Sequence, residues 1–331
     1  MQSIKRKVNP AFLTILPSLI LVFIFVYVFI SYTIRIAISD NWQPAVQDFT
    51  VTSPWYENFR QLAVSTRFQS DIRNTIIFTI FFLSLSVGVG FLLAIGVSNM
   101  QRSQVFFRNL FLMPYAVSFI VTGVVWRWIF NPLSGANLLL QYSGISDLYE
   151  KAFGTPLQPG WTTSGDTIGN LNSLLEKVIP GGNILGAQMG IPMALLPVIF
   201  AASWQLCGFA MSMFLAGLAA IPHELREAAA IDRASGFTYT RRIALPLLMP
   251  MAVTSIVILT HTALKIFDLI YAMSGSGIGF ATDMPGIFVY ETMYKALRYP
   301  LGAAASLVML LMVSIIVIPY LIRNNKQRAE L

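Results

Sequence analysis

Apolar residues fall in six long blocks along the chain, at roughly 11–38, 74–98, 109–131, 191–219, 246–273 and 300–322. Each is close to or above the ~20 residues a helix needs to cross a bilayer. The polar stretches between them carry the turn signals. The pattern predicts an all-α membrane protein of six transmembrane helices in one domain over 1–331. The first block follows Lys5, Arg6 and Lys7. Its apolar core, Ala11 to about Ile30, is too long for the h-region of a typical signal peptide, and no clear small-residue cleavage site follows. It reads as a retained helix. The 132–190 connection is rich in Gly, Ser, Asn and Pro, with turn pairs such as Pro159-Gly160 and Pro180-Gly181. It predicts a small, partly helical cap, from Ile145 to Phe153 and from Leu171 to Val178.

Composition agrees with the pattern. Of 331 residues, 56% are hydrophobic and only 11% charged, with a mean hydropathy of +0.67; soluble domains carry about 25% charged residues. That excludes an ordinary cytosolic enzyme, a disordered regulator and a secreted disulfide scaffold. A single cysteine, Cys207, excludes an internal disulfide, and with only two histidines no structural zinc cluster is in view. The formal net charge of +7 is not read as a nucleic-acid surface, because its placement follows the membrane. With the N-terminus inside, the inner segments 1–10, 99–108, 220–245 and 323–331 hold 12 Lys and Arg; the outer segments 39–73, 132–190 and 274–299 hold 7 over more than twice the length. The density differs about fourfold, which by the positive-inside rule places both termini in the cytoplasm. Trp42, Trp55, Trp126, Trp128 and Trp161 lie outside the spans or near their outer ends, as an interfacial belt requires.

Catalytic signatures are missing. There is no G-x-x-x-x-G-K-[S/T] phosphate loop, no G-x-S-x-G elbow and no H-E-x-x-H. Gly275-Ser276-Gly277-Ile278-Gly279 follows a membrane helix rather than a strand and reads as a flexible exit turn. His223 and Glu224 are neighbours with no further metal ligand in sight. No cofactor or metal is expected in this chain. A secondary transporter would place unpaired charges mid-span and often show inverted repeats; the spans are almost free of charge near their middles and no repeat is evident. A membrane enzyme would need converging titratable groups, which are not seen.

The longest inner loop, 220–245, carries the functional argument. Ile221-Pro222-His223-Glu224-Leu225-Arg226-Glu227 leads into Ala228-Ala229-Ala230, then Ile231-Asp232-Arg233-Ala234-Ser235-Gly236. Pro222 suits a first helical position, Glu224 and Glu227 sit near the positive helix end, and the alanines favour helix while letting another surface approach closely. Ser235-Gly236 supplies a turn. The bland alternative is an amphipathic helix resting on headgroups. Against it, the apolar face is narrow and both signs of charge are present, which favours a docking helix for a cytoplasmic partner.

Glu227-Ala228-Ala229, Asp232, Ala234, Ile243, Leu245-Pro246 and Pro250 resemble the EAA motif of ABC importer permeases. Trp126-Arg127-Trp128, Phe214-Leu215-Ala216-Gly217-Leu218, Phe267-Asp268-Leu269 and the segment ending Gly302-Ala303-Ala304 are similar to the carbohydrate-type group. Two departures stand out. Arg233 occupies a position where that family usually has Gly, so Gly236 is expected to take over the turn; and the 132–190 connection is long. The resemblance implies a type I importer permease, non-catalytic and multi-pass in a bacterial or archaeal cytoplasmic membrane. Its coupling helix, with Glu224, Glu227, Ala228, Ala229, Asp232 and Gly236, would seat in an ATPase subunit. It implies as partners a second permease, a different chain, with two ATPase subunits that hold ATP and Mg and an extracytoplasmic solute-binding protein. The substrate is expected to be a sugar or oligosaccharide, the alternative being another solute such as a phosphorylated polyol or amino acid. Thr254, His261, Lys265 and Asp268, spaced by 7, 4 and 3, predict one helical face. His261, Lys265 and Asp268 with Trp204 and Gln205 are the candidates for the path; Lys265 and Asp268 could instead pair with each other or snorkel to headgroups.

Overall fold

The structure, a computed structural model, describes residues 10–100, 102–155, 157–169, 187–234 and 236–329. The expected helix from Leu171 to Val178 lies outside the described residues. Helices dominate. In chain order they are α1 (Pro10–Val22), α2 (Phe29–Ala37), α3 (Glu57–Val64), α4 (Thr66–Ser98), α5 (Gln104–Leu112), α6 (Phe119–Ile129), α7 (Ala136–Tyr142), α8 (Ile145–Phe153), α9 (Leu195–Ala219), α10 (His223–Ile231), α11 (Gly236–Tyr239), α12 (Leu245–Leu264), α13 (Asp268–Met273), α14 (Pro285–Tyr290) and α15 (Tyr299–Ala329). The chain divides into two compact units, 1–63 with 289–308, and 64–288 with 309–331.

In the first unit, α1 continues through a π turn (Phe23–Val28) into α2. Its apolar side chains from Leu19 to Phe29 are exposed all round, the condition of a helix whose surroundings are lipid. After Ala37 the chain leaves the helix, and Asn58 ties it down by donating its Nδ2 to the carbonyls of Ala37 and Ser39, both at 2.9 Å. Trp42 is buried among the rings of Tyr32, Phe49 and Tyr299, at centroid distances of 6.0, 6.3 and 5.7 Å.

The second unit is built on α4 and α9. Ser65 caps α4, its Oγ accepting from the Phe68 N–H at 3.4 Å. At 33 residues the helix is about 50 Å long, beyond the ~30 Å hydrocarbon thickness. Its first turns accordingly carry polar residues, buried within the chain: Gln69, Asp71, Arg73 and Asn74. The two helices meet closely because α4 has Gly90 at the crossing. A Cβ there would stand 2.6 Å from Ala210 Cβ and 2.8 Å from the Cys207 carbonyl, the close small-residue packing that substitutes for hydrophobic drive inside a membrane. Phe78 and Phe82 stack at 5.3 Å and join Leu195, Leu206, Leu259 and Leu269 in one core. Ala94, Met211, Phe214 and Leu248 form a second.

Among the described residues, five helices are long and apolar enough to cross a membrane, or six if the pair Gln104–Ala116 and Phe119–Ile129, bent by 96°, counts as one span. The bend has a local cause. Pro114 lies in a 3₁₀ turn, Met113–Ala116; Val117 is extended, with ψ of 143°, and Ser118 caps α6 by accepting from the Val121 N–H at 3.3 Å. The 246–273 block is also interrupted. α12 ends at Leu264, residues 265–267 leave helical geometry, and α13 begins at Asp268. Asp268 therefore does not continue the helical face of His261 and Lys265; the backbone unwinds between them.

Candidate functional site

Two regions of the second unit gather the sequence-derived candidates. The first is α10 and its flanks. Pro222 stands at the N-cap, one residue earlier than the expected first helical position, with φ −55° and ψ 139°. His223 Nδ1 lies 3.2 Å from Glu227 Oε1, both side chains exposed. Glu224, Ala228 and Asp232 are exposed, whereas Ala229 is 5% exposed and faces its own chain. There Ala229, Ala230 and Ala234 line a cavity of about 760 Å³ that reaches Phe91 and Ile95 of α4 and Leu215 of α9. The poly-alanine run thus has two faces, one turned inward at Ala229 and one free at Glu227 and Ala228.

The turn after α10 is made by Arg233, not by Gly236. Arg233 has φ 54°, and Gly236 has no positive φ. The Asp232, Arg233 and Ala234 N–H groups donate to the carbonyls of Ala228, Ala230 and Ala229 at 3.0, 3.1 and 2.9 Å. This closes the helix with a left-handed residue, the geometry that ordinarily selects glycine. The expectation that Gly236 takes over is corrected by this backbone.

The second region lies where the C-terminal end of α6 meets the N-terminal half of α9. Trp126 and Phe130 stack at 5.3 Å, and Trp126 meets Phe200 edge-on at 5.2 Å and Trp204 at 5.5 Å. Trp161 joins through Phe130 at 5.1 Å. Five rings thus run in contact from the 157–169 segment to Trp204, and four of them wall a cavity of about 750 Å³ that also touches Ser164 and Asp166. The segment over the cavity is fixed in place. Trp161 Nε1 donates to Asn137 Oδ1 at 2.7 Å, and Asn137 Nδ2 donates to the Pro132 and Pro159 carbonyls. Met193 N–H donates to the Asp166 carbonyl at 2.9 Å, and Thr167–Ile168 pairs antiparallel with Ile191–Pro192.

Trp204 is 41% exposed. Gln205 is 2% exposed and occupied: its Nε2 donates at 2.7 Å to the Val117 carbonyl, the group freed by the α5–α6 bend. Inside a membrane such a freed carbonyl must be satisfied by protein, so Gln205 stabilises the bend. His261, Lys265 and Asp268 are all exposed; among the described residues no salt bridge joins Lys265 to Asp268.

One polar cluster was not legible as a site. Arg67 Nε donates to Asp283 Oδ2 at 2.6 Å, with the carboxylate fully buried. The guanidinium also lies over the rings of Phe280 and Phe288 at 5.0 and 5.3 Å. Asn74 Nδ2 donates to the carbonyls of Phe280 and Asp283, both at 2.9 Å, and Arg73 donates to the Gln188 carbonyl. Residues 216 apart in sequence meet here, and no local spacing announces it. Among the described residues no group of three His, Cys, Asp or Glu side chains is placed to hold a metal.

Residues 86–330 match the family described as binding-protein-dependent transport system inner membrane component. A probable ABC transporter permease protein of Pyrococcus horikoshii is 29% identical over 315 residues, 95% of each chain. The trehalose/maltose transport system permease protein MalF of Thermococcus litoralis is 26% identical, covering 96% of this chain and 94% of the other. In fold, the chain is similar to one from a bacterial ABC transporter involved in the import of the acidic polysaccharide alginate. The TM-score is 0.67 at 18% identity, over 96% of this chain and 95% of that one.

Proposed function

The chain belongs to the family of binding-protein-dependent transport system inner membrane components, and on that premise we propose that it is the membrane subunit of an ATP-driven importer for a sugar or oligosaccharide. The trehalose/maltose permease it resembles along nearly its whole length supports the solute class. The positive-inside balance supports an orientation with both termini and the 220–245 loop in the cytoplasm. Its partners in this reading are a second permease, two ATPase subunits that hydrolyse ATP, and an extracytoplasmic solute-binding protein.

The observation that carries the reading is the two-faced α10. Glu224, Glu227 and Ala228 are exposed for docking to an ATPase, while Ala229 is buried on the side of the helix that lines the cavity against α4 and α9. A partner seated on the exposed face would act on α4 and α9 by closing that cavity. Two permease bundles rocking on such helices would alternate access to a path between them. Trp204, half-exposed at the end of the ring series, is the candidate of this chain for that path. Gln205 holds the bend beside it, and His261, Lys265 and Asp268 remain available to the second permease.

The test is co-purification with the ATPase subunits and sugar uptake in proteoliposomes containing the full complex. Glu227→Arg reverses the charge on the exposed face. It is expected to lower transport and detach ATP hydrolysis from substrate, with insertion unchanged. Wild-type transport in that variant would sink the docking role; uptake of a phosphorylated polyol or an amino acid instead of any sugar would sink the solute class.

A further inference from the structure

We propose that the cavity between α6, α9 and the 157–169 segment is an entry vestibule for an uncharged saccharide, held weakly on the ring series that leads to Trp204. The inference rests on the importer reading and adds a location and a charge class. Under the orientation proposed above, the cavity opens at the extracytoplasmic end of the spans, where a binding protein would release its cargo.

Three observations carry it. The walls are aromatic rather than aliphatic: Trp126, Phe130, Trp161 and Phe200 all contribute. Flat rings suit the C–H faces of pyranoses, whereas an acyl chain makes no special use of them. The volume of about 750 Å³ falls within the range of small-molecule sites and accommodates two or three sugar rings. The charge is one-sided. Among the described residues lining the cavity, Asp166 is the only ionisable group, with Ser164 donating to it at 2.9 Å. An anionic sugar would meet a carboxylate and no cation, and would leave its solvation without return. A neutral sugar can donate hydroxyls to Asp166 and stack on the rings.

The sparse polar lining also fixes the strength. A site with many hydrogen-bonding groups would retain its ligand. Conduction needs binding favourable enough to admit a solute and weak enough to release it. The rings continue in contact to Trp204, so each released sugar face has a next surface.

The experiment uses the complete importer in nanodiscs and saturation-transfer NMR, which reads weak contacts, with maltotriose, xylotriose and mannotriose as neutral probes and trigalacturonate as the anionic one. At least one neutral probe should give signal, and trigalacturonate none. Trp161→Ala should weaken the neutral signal by about fivefold. Asp166→Lys, a change at an exposed residue, should admit trigalacturonate, which keeps the proposal testable if Trp161→Ala fails to fold. Equal signals from neutral and anionic probes in the wild type would overturn it. So would a neutral signal unchanged by Trp161→Ala, or a phospholipid retained by the wild type in native mass spectrometry and lost in that variant. Proteoliposomes that import a saccharide while these variants bind normally leave the importer reading standing and remove only the vestibule. Proteoliposomes that import no saccharide remove both.

Discussion

Arg233 holds a backbone conformation that its side chain does not favour. With φ at 54°, it carries the left-handed penalty, roughly 1 kcal/mol for a residue with a Cβ, in a turn where related permeases are expected to use glycine. Arg233→Gly is therefore expected to stabilise the α10 turn by about 1 kcal/mol. Hydrogen exchange at the Asp232–Ala234 amides would slow, and faster exchange would show that the arginine is anchored by a contact outside this chain. A larger change follows at the other polar turn. Arg67→Met leaves the Asp283 carboxylate buried without its cation, a loss of about 3 kcal/mol. The apparent melting temperature of the detergent-solubilised chain should fall by several degrees. An unchanged value would mean that the Met284 N–H and the neighbouring Asp71 suffice to hold the carboxylate.

At the scale of elements, packing decides which residues of a helix can be reached. Ala229 and Ala228 are adjacent and chemically identical, yet only Ala228 is exposed. Ala228→Trp is expected to block ATPase co-purification with the permease otherwise native, whereas Ala229→Trp, whose ring enters the cavity under α10, is expected to alter the melting temperature and leave ATPase binding intact. If both variants melt alike and both bind the ATPase, the two-faced reading fails. The sequence could not separate these alanines, because the helical period alone does not say which face meets the chain's own spans. Long apolar blocks were legible for the opposite reason: spanning a bilayer demands a run of apolar residues whatever the packing. The interruptions within those blocks were not legible equally. Pro114 hints at the α5–α6 bend, but proline is tolerated in membrane helices. Lys265-Ile266-Phe267 contains neither glycine nor proline, so the sequence marks no break in a stripe from His261 to Asp268, although the backbone unwinds there. The 220–245 loop could be singled out from a local motif. The Arg67–Asp283 pair could not, being a product of tertiary folding alone.

For the whole molecule, orientation is the property on which the other readings depend. In a Cys207→Ser background, Asp147→Cys in α8 and Arg241→Cys beyond α11 are both exposed positions. An impermeant thiol reagent added to intact cells should label the first and spare the second. The reverse pattern would turn the docking loop outward and exclude an ATPase from it. The bend between α5 and α6 has its own consequence at this scale. α6 has 11 residues, about 17 Å of helix, little more than half the ~30 Å of hydrocarbon. With the preceding helix turned by 96°, this part of the chain cannot match an undistorted bilayer. Thinning of the adjacent lipid is one way such a short span is accommodated, and its cost grows with acyl-chain length. Bilayer thickness is then expected to set its activity: in vesicles of graded acyl length transport should peak in short-chain lipid and decline as the bilayer thickens, and a flat response would show that the mismatch is met within the protein.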